Sequence, residues 1–176
     1  MKNLKDISAG KKAPDVVNAI IEIPRGSRNK YEYDVELGIF RLDRVLYSAV
    51  HYPTAYGFIP HTLWDDGDPL DILVIIDEDL AVGVLVDVRP VGMLRMEDDK
   101  GSDNKILGVA VHDPRYEAVR DVHDVQKHRL VEIEHFFETY KHLEKRSVKS
   151  YGWSHANAAK EAIRKAMDKY ERNKAF

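Results

Sequence analysis

Cysteine is absent from this chain of 176 residues, which excludes a disulfide framework and thiol chemistry. Long apolar runs are absent as well: the longest are far shorter than a membrane span, and residues 1–15 hold no apolar segment of signal-peptide length. The formal net charge is -3, whereas nucleic-acid-binding proteins are more often basic. We therefore expect a cytoplasmic protein with no membrane partner and no nucleic-acid partner.

Several common catalytic motifs are missing too. The sequence has no GxxxxGK[ST] phosphate loop, no GxSxG nucleophile elbow and no GxGxxG dinucleotide fingerprint. Its eight histidines show neither HxxxH nor HExxH spacing. The sequence thus favours ordinary surface or interface histidines over a zinc site.

The first two thirds of the chain are rich in strand patterns. Hydrophobic residues make up 44% and charged residues 32% of the chain, which with its length predicts a single globular domain over residues 1–176. A strand is predicted from Val16 to Ile23, followed by a hairpin of residues 30–35 and 39–44. Further strands are predicted at residues 72–76, 84–88, 91–94 and 106–111, while residues 50–64 read as an irregular, aromatic-rich connection.

The last third changes to helical periodicity. Apolar spacing predicts one helix from about Val125 to Leu143 and a second after Ser154, which we expect to be its N-cap. Strands followed by helices predict an α+β fold with two main helices in the C-terminal third. The antiparallel strand run is compatible with a small closed β-barrel.

Four carboxylates lie in the seven residues from Asp65 to Asp71, directly before an apolar strand. In extended chain Asp66 and Asp68 project to the same side, and hard cations such as Mg2+ prefer oxygen ligands. A second acidic stretch, from Glu97 to Asp103, precedes another strand. Asp, Gly and Pro also make plain solvated turns, so the composition of these segments alone leaves both interpretations open.

The segment Asp66-Gly67-Asp68-Pro69-Leu70-Asp71-Ile72 resembles the signature of the soluble family I inorganic pyrophosphatases. The resemblance runs in the family's order from about Val16 to Trp153. It includes Ile21-Glu22-Ile23-Pro24, Lys30-Tyr31-Glu32, Asp43-Arg44, Tyr52-Pro53 with Tyr56-Gly57, Arg89-Pro90-Val91-Gly92, Asp98 through Asp103 to Lys105, and His135-Phe136-Phe137 with Tyr140-Lys141.

This resemblance implies a small OB-like β-barrel flanked by helices, commonly assembled as a homohexamer. It implies Mg2+-dependent hydrolysis of inorganic pyrophosphate to two orthophosphates by in-line attack of a metal-bridging water, with Mn2+ or Zn2+ as possible substitutes for Mg2+. Asp68 is implied as the general base. The implied metal-binding residues are Asp66, Asp71, Asp103, Asp98 and Glu32. The implied phosphate-binding residues are Lys30, Arg44, Tyr56, Lys105, Tyr140 and Lys141, with Glu22 at the edge of the cleft.

Three other interpretations are compatible with the sequence. A non-catalytic OB-type module could use its tyrosines to stack on nucleic-acid bases, although two acidic clusters would repel the backbone. A structural cation-binding protein would melt in a metal-dependent way without turnover. A metal-dependent hydrolase could act on nucleotides instead of pyrophosphate. The sequence suggests no role for Trp64, directly before the acidic cluster.

Overall fold

The computed structural model describes residues 4–99 and 101–174, which contain nine strands and two α-helices. The strands are β1 Val17–Ile23, β2 Asn29–Asp34, β3 Ile39–Val45, β4 Ala55–Phe58, β5 Asp71–Ile75, β6 Leu85–Asp98, β7 Gly101–Ser102, β8 Lys105–Ala110 and β9 Lys149–His155. The helices are α1 Lys127–Thr139 and α2 Ala156–Lys174. Among the described residues, no helix is long and apolar enough to cross a membrane.

Five strands close into a ring in the order β1-β4-β5-β8-β6, because β6 also pairs with β1. Strands β7 and β9 pair with β6, and β2–β3 form a separate hairpin. The predicted α+β fold with a small barrel and two C-terminal helices is therefore confirmed. One detail is wrong: β5 and β8 run parallel, so the barrel is not wholly antiparallel. A closed ring with an odd number of strands cannot alternate direction at every pair.

Strand β6 is longer than the sequence predicted. The two strands expected at residues 84–88 and 91–94 are one strand, which bends at register shifts near Pro90 and Leu94. Such bulges tolerate a proline and increase the local bend of a strand. The bend allows β6 to pair with β1, β7, β8 and β9 along its length.

The strands bury residues on both of their faces. One core contains Ile72 and Val74 of β5 and packs against α2, whereas the alternate residues Leu73 and Ile75 belong to a second core that packs against α1. This two-sided burial explains the continuous apolar runs in the sequence. Trp64 lies in the first core at 7% exposure, which gives it a packing role.

Two expectations about local structure were wrong. Ser154 is not the N-cap of α2, because it lies in β9 opposite Met93. The first helical N–H, that of Ala156, instead donates to Asp121 Oδ2 at 3.0 Å, so a side chain 35 residues away supplies the cap. The segment expected to be irregular contains strand β4, which joins β1 to β5.

Candidate active site

The acidic loop between β4 and β5 is held by hydrogen bonds within the loop. The N–H of Trp64 donates to the carbonyl of Asp68 at 2.7 Å, and the N–H of Asp68 donates to Asp66 Oδ1 at 3.1 Å. Gly67 has a φ of +94°, which favours glycine. Asp66 and Asp68 are exposed in this loop, five and three residues before Asp71 opens β5. The loop thus presents two carboxylates in a defined conformation beside a third.

The parallel pairing of β5 with β8 brings Asp71 next to Lys105, because Ile72 lies opposite Ile106. The buried ammonium of Lys105 donates to Asp71 Oδ2 and to Asp103 Oδ1. Burial opposes the charged form of Lys105, but these two carboxylates outweigh it and raise its pKa well above the usual value. Burial is the main cause of a raised pKa of Asp103. The charge of Asp71 adds to the rise, and Lys105 lowers the pKa without outweighing the two. A charged lysine therefore lies between two carboxylates.

A second cation–anion pair borders this group. Lys141, which follows α1, donates to Asp98 Oδ2 at 2.8 Å, and both side chains are more than 90% buried. Two buried phenols lie near these lysines: the Lys105 ammonium is 5.7 Å from the Tyr56 ring centroid, and the Lys141 ammonium is 5.3 Å from that of Tyr140. Burial raises the pKa of both phenols. They therefore remain protonated at neutral pH and can donate hydrogen bonds to an anion.

The β2–β3 hairpin supplies a third group of charged side chains. Lys30 lies opposite Arg44 across the hairpin and contacts Glu32 Oε1 and, at 3.4 Å, Asp43 Oδ2. Asp43 Oδ2 also accepts from the Arg44 guanidinium at 2.5 Å. The Nε of Arg44 donates to Glu144 at 3.0 Å, and the side chain of Glu144 is only 10% exposed. Two carboxylates therefore fix the direction of Arg44.

Glu22 connects the barrel to this hairpin. Its Oε1 accepts the backbone N–H of Tyr33 at 2.8 Å. Burial chiefly raises the pKa of Glu22 to about 8; the charges of Asp71 and Glu32 add to the rise, while the Tyr33 N–H and Lys30 oppose it. Glu22 of β1 is therefore bonded directly to β2 of the hairpin.

The structure brings most of the predicted site residues into direct pairs. On the barrel side, Lys105 pairs with Asp71 and Asp103, and Lys141 pairs with Asp98. On the hairpin side, Lys30 pairs with Glu32. Sequence reasoning assigned no role to Asp43 or Glu144. Asp43 adjoins Arg44 in the motif, but Glu144 is 100 residues away and offers no local signal.

The donor set fits a hard divalent cation. All the candidate ligands are carboxylates, the ligand type that Mg2+ and Ca2+ prefer over nitrogen or sulfur. Asp71 and Asp103 already share one compact cation, the Lys105 ammonium. Their oxygens therefore lie close enough together to serve a single cation.

Comparison with known proteins identifies the family. A family model described as inorganic pyrophosphatase matches residues 19–171. The chain belongs to the inorganic pyrophosphatase family. The pyrophosphatase of Thermus thermophilus is 52% identical over 174 residues, covering 97% of this chain and 99% of that protein. That of Haloferax volcanii is 47% identical over 175 residues, covering 98% and 99%.

Solved pyrophosphatase structures share the fold. The crystal structure of the inorganic pyrophosphatase from Thermus thermophilus matches with a TM-score of 0.94 at 51% identity, covering 97% of this chain and 99% of that one. Family membership confirms the resemblance drawn from the acidic signature. It also confirms the enzyme interpretation over a binding module or a structural cation-binding protein.

Proposed function

We propose that this chain hydrolyses inorganic pyrophosphate to two orthophosphates with Mg2+ as cofactor. The reaction would use the paired lysine and carboxylate side chains of the candidate active site, which is called the cleft below. As a member of the inorganic pyrophosphatase family it is an enzyme, and the reaction is hydrolysis of pyrophosphate. One observation carries the proposal for the site. Each lysine expected to bind phosphate is paired with a carboxylate expected to bind metal.

These pairs suit a polyanionic substrate that arrives with cations. The carboxylates would hold the metal ion and the lysines would bind phosphate oxygens, so both members of each pair would gain new partners. Breaking a buried ion pair from one side is costly, because the remaining charge is left unpaired. The ammonium of Lys105 and both members of the Lys141–Asp98 pair are buried. We therefore expect metal and substrate to bind cooperatively.

The proposed Mg2+ ligands are the carboxylates on the barrel side of the cleft, together with one on the hairpin. They are Asp66, Asp71, Asp103, Asp98 and Glu32. Bound Mg2+ supplies neutralisation of the substrate's negative charge and a lowered pKa for a coordinated water. Mn2+ and Zn2+ are proposed as substitutes, since both accept carboxylate oxygen.

The chain's own residues orient the substrate and move the proton. We assign Asp68 as the general base, because it lies on a loop held by hydrogen bonds within the loop and a carboxylate can accept a proton from an attacking water. Phosphate oxygens are bound by cationic and phenolic groups, with Arg44 able to bind two oxygens at once. This set comprises Lys30, Arg44, Tyr56, Lys105, Tyr140 and Lys141. Glu22, whose pKa in the metal-free protein is raised to about 8 chiefly by burial, is assigned to the edge of the cleft beside the phosphate-binding groups.

We also propose that the protein is a homo-oligomer, with the hexamer expected from the resemblance. Six large apolar side chains between residues 35 and 47 are at least 46% exposed: Val35, Leu37, Ile39, Leu42, Val45 and Tyr47. Contiguous exposed apolar surface marks protein–protein interaction sites, and the concentration of these side chains in one short segment supports the proposal. Light scattering at several protein concentrations tests the assembly. A cytoplasmic location without nucleic-acid or membrane partners remains our expectation.

The deciding experiment is phosphate release from pyrophosphate with Mg2+, with excess chelator, and with ATP as the alternative substrate. We expect fast Mg2+-dependent release from pyrophosphate, none with chelator and slow release from ATP. Asp66→Asn, Asp71→Asn and Asp103→Asn should weaken Mg2+ binding and turnover together. No release from folded protein with any metal would overturn the proposal, and faster release from ATP would favour a nucleotide hydrolase.

A further inference from the structure

Two histidines and an aspartate converge at a second place in the fold. Asp121 and His123 belong to the turn before α1, and His155 ends β9. Potential ligand atoms of the three side chains all lie within 4.8 Å of one another. The two imidazole rings meet edge to face, with centroids 4.5 Å apart. None of these residues belongs to the pyrophosphate site.

Asp121 is held in place by neighbouring donors. Its Oδ2 accepts the N–H of Ala156 at 3.0 Å, and its Oδ1 accepts the backbone N–H of His123 at 3.3 Å. Oδ1 also lies 2.9 Å from His155 Nδ1. Partial burial opposes ionisation of Asp121, but the Ala156 N–H and His155 outweigh it and lower its pKa. A pre-oriented, charged carboxylate therefore anchors the group.

This carboxylate also orients the imidazole of His155. An ionised carboxylate only accepts hydrogen bonds, so neutral His155 carries its proton on Nδ1, and an ion held by Asp121 Oδ1 and His155 Nδ1 takes the place of that proton. The rings of His123 and His155 are exposed and can therefore rotate towards an ion.

We propose that Asp121, His123 and His155 form a second metal site, selective for a divalent transition ion such as Zn2+. Imidazole favours Zn2+, Ni2+ and Cu2+, whereas Mg2+ prefers oxygen ligands, so this site differs in class from the carboxylate cleft. Ligands around a tetrahedral zinc are separated by about 3.4 Å, given bonds of about 2.0–2.1 Å. Small rotations of the exposed rings bring the donors to that spacing.

The site has a distinct place in the fold. Asp121 already caps α2 from the turn before α1, and His155 directly precedes α2. An ion held by all three residues joins that turn to the start of α2. Three protein ligands leave a coordination position for water, so the ion exchanges more readily than one in a closed four-ligand site.

The test uses Cu2+ as a probe, because its electron paramagnetic resonance spectrum reveals bound imidazole nitrogen. Full-length protein in saturating Mg2+, which occupies the carboxylate cleft, is titrated with Cu2+ up to one equivalent. The test variant is the double substitution His123→Ala/His155→Ala. The matched control is His112→Ala, since His112 is exposed and lies 3.3 Å from Asp87.

We expect wild-type protein and His112→Ala to bind one Cu2+ with imidazole coupling. The double variant should bind it at least about tenfold more weakly and lose that coupling. Zn2+ should raise the melting temperature of the wild type by more than that of the double variant. If the double variant does not fold in chelator, as judged by circular dichroism, His123→Ala alone takes its place. Affinity within twofold of wild type and unchanged coupling in the folded variant would overturn the proposal.

Discussion

The buried carboxyl of Glu22 makes the stability of the metal-free protein depend on pH. Its pKa is about 8 in the folded protein against an ordinary value of 4.5, chiefly because the side chain is buried. The folded state therefore binds the proton more tightly than the unfolded state does. Glu22 contributes stability in full below about pH 4.5, and this contribution is lost as pH rises towards about pH 8.

The magnitude follows from the two pKa values. Their difference of about 3.5 corresponds to about 5 kcal/mol, at about 1.36 kcal/mol for each pH unit. Between about pH 6 and about pH 8 the free energy of unfolding should fall by about 2 kcal/mol through this group. Glu22→Gln cannot ionise, so the variant should lack this part of the pH dependence whatever its absolute stability.

The assay is chemical denaturation of wild type and Glu22→Gln at matched protein concentration, across that pH range and in excess chelator. Chelator is needed because a bound cation would favour the ionised form of Glu22. Glu36→Gln, in the turn of the β2–β3 hairpin, serves as the exposed-glutamate control. Curves for wild type and Glu22→Gln that stay parallel within about 0.5 kcal/mol would refute the reasoning.

Three further predictions follow from the cleft and the barrel. Asp68→Asn should remove most turnover in steady-state assays while pyrophosphate binding stays within a few fold, and unchanged turnover would eliminate Asp68 as the base. Asp65→Asn, in the same loop, is the control and should behave as wild type. Glu144→Ala should raise KM about tenfold with a smaller effect on kcat, because Arg44 loses a charged hydrogen bond, and an unchanged KM would contradict this. Glu144→Gln keeps a hydrogen-bond acceptor and should therefore raise KM less than Glu144→Ala does. Gly57→Ala should cost about 3 kcal/mol or more of unfolding free energy, since a Cβ there would lie 1.9 Å from a carbonyl oxygen of β1; a milder loss would show that β1 and β4 separate easily.

Local patterns predicted most elements of the fold. Strand β1, the β2–β3 hairpin, β5, β8 and both helices fall within a few residues of their expected positions. The failures involve partners that are distant in sequence. Ser154 is pulled into β9 by pairing with β6, and the cap of α2 comes from Asp121. No local propensity reports such pairings, because they form only when the barrel closes.

The same division applies to the charged groups. The acidic signature and its short flanking motifs were visible as sequence and led to the family. The sequence did not reveal the contact of Glu144 with Arg44 or the convergence of His123 with His155, because neither pair has a characteristic spacing. The absence of HxxxH or HExxH excludes only metal sites whose histidines share a local motif, not those assembled by the fold.

The one parallel pair in the barrel also determines the chemistry of the cleft. Because β5 and β8 run parallel, Asp71 at the start of β5 lies beside Lys105 at the start of β8. In an antiparallel arrangement Asp71 would instead lie beside Ala110, at the far end of β8 and about 17 Å from Lys105 at about 3.3 Å per residue. The buried ammonium would then lose one of its two carboxylates, and burial would favour its neutral form. An odd-membered ring must contain such a pair, and here it lies where the cleft needs a charged lysine between two carboxylates.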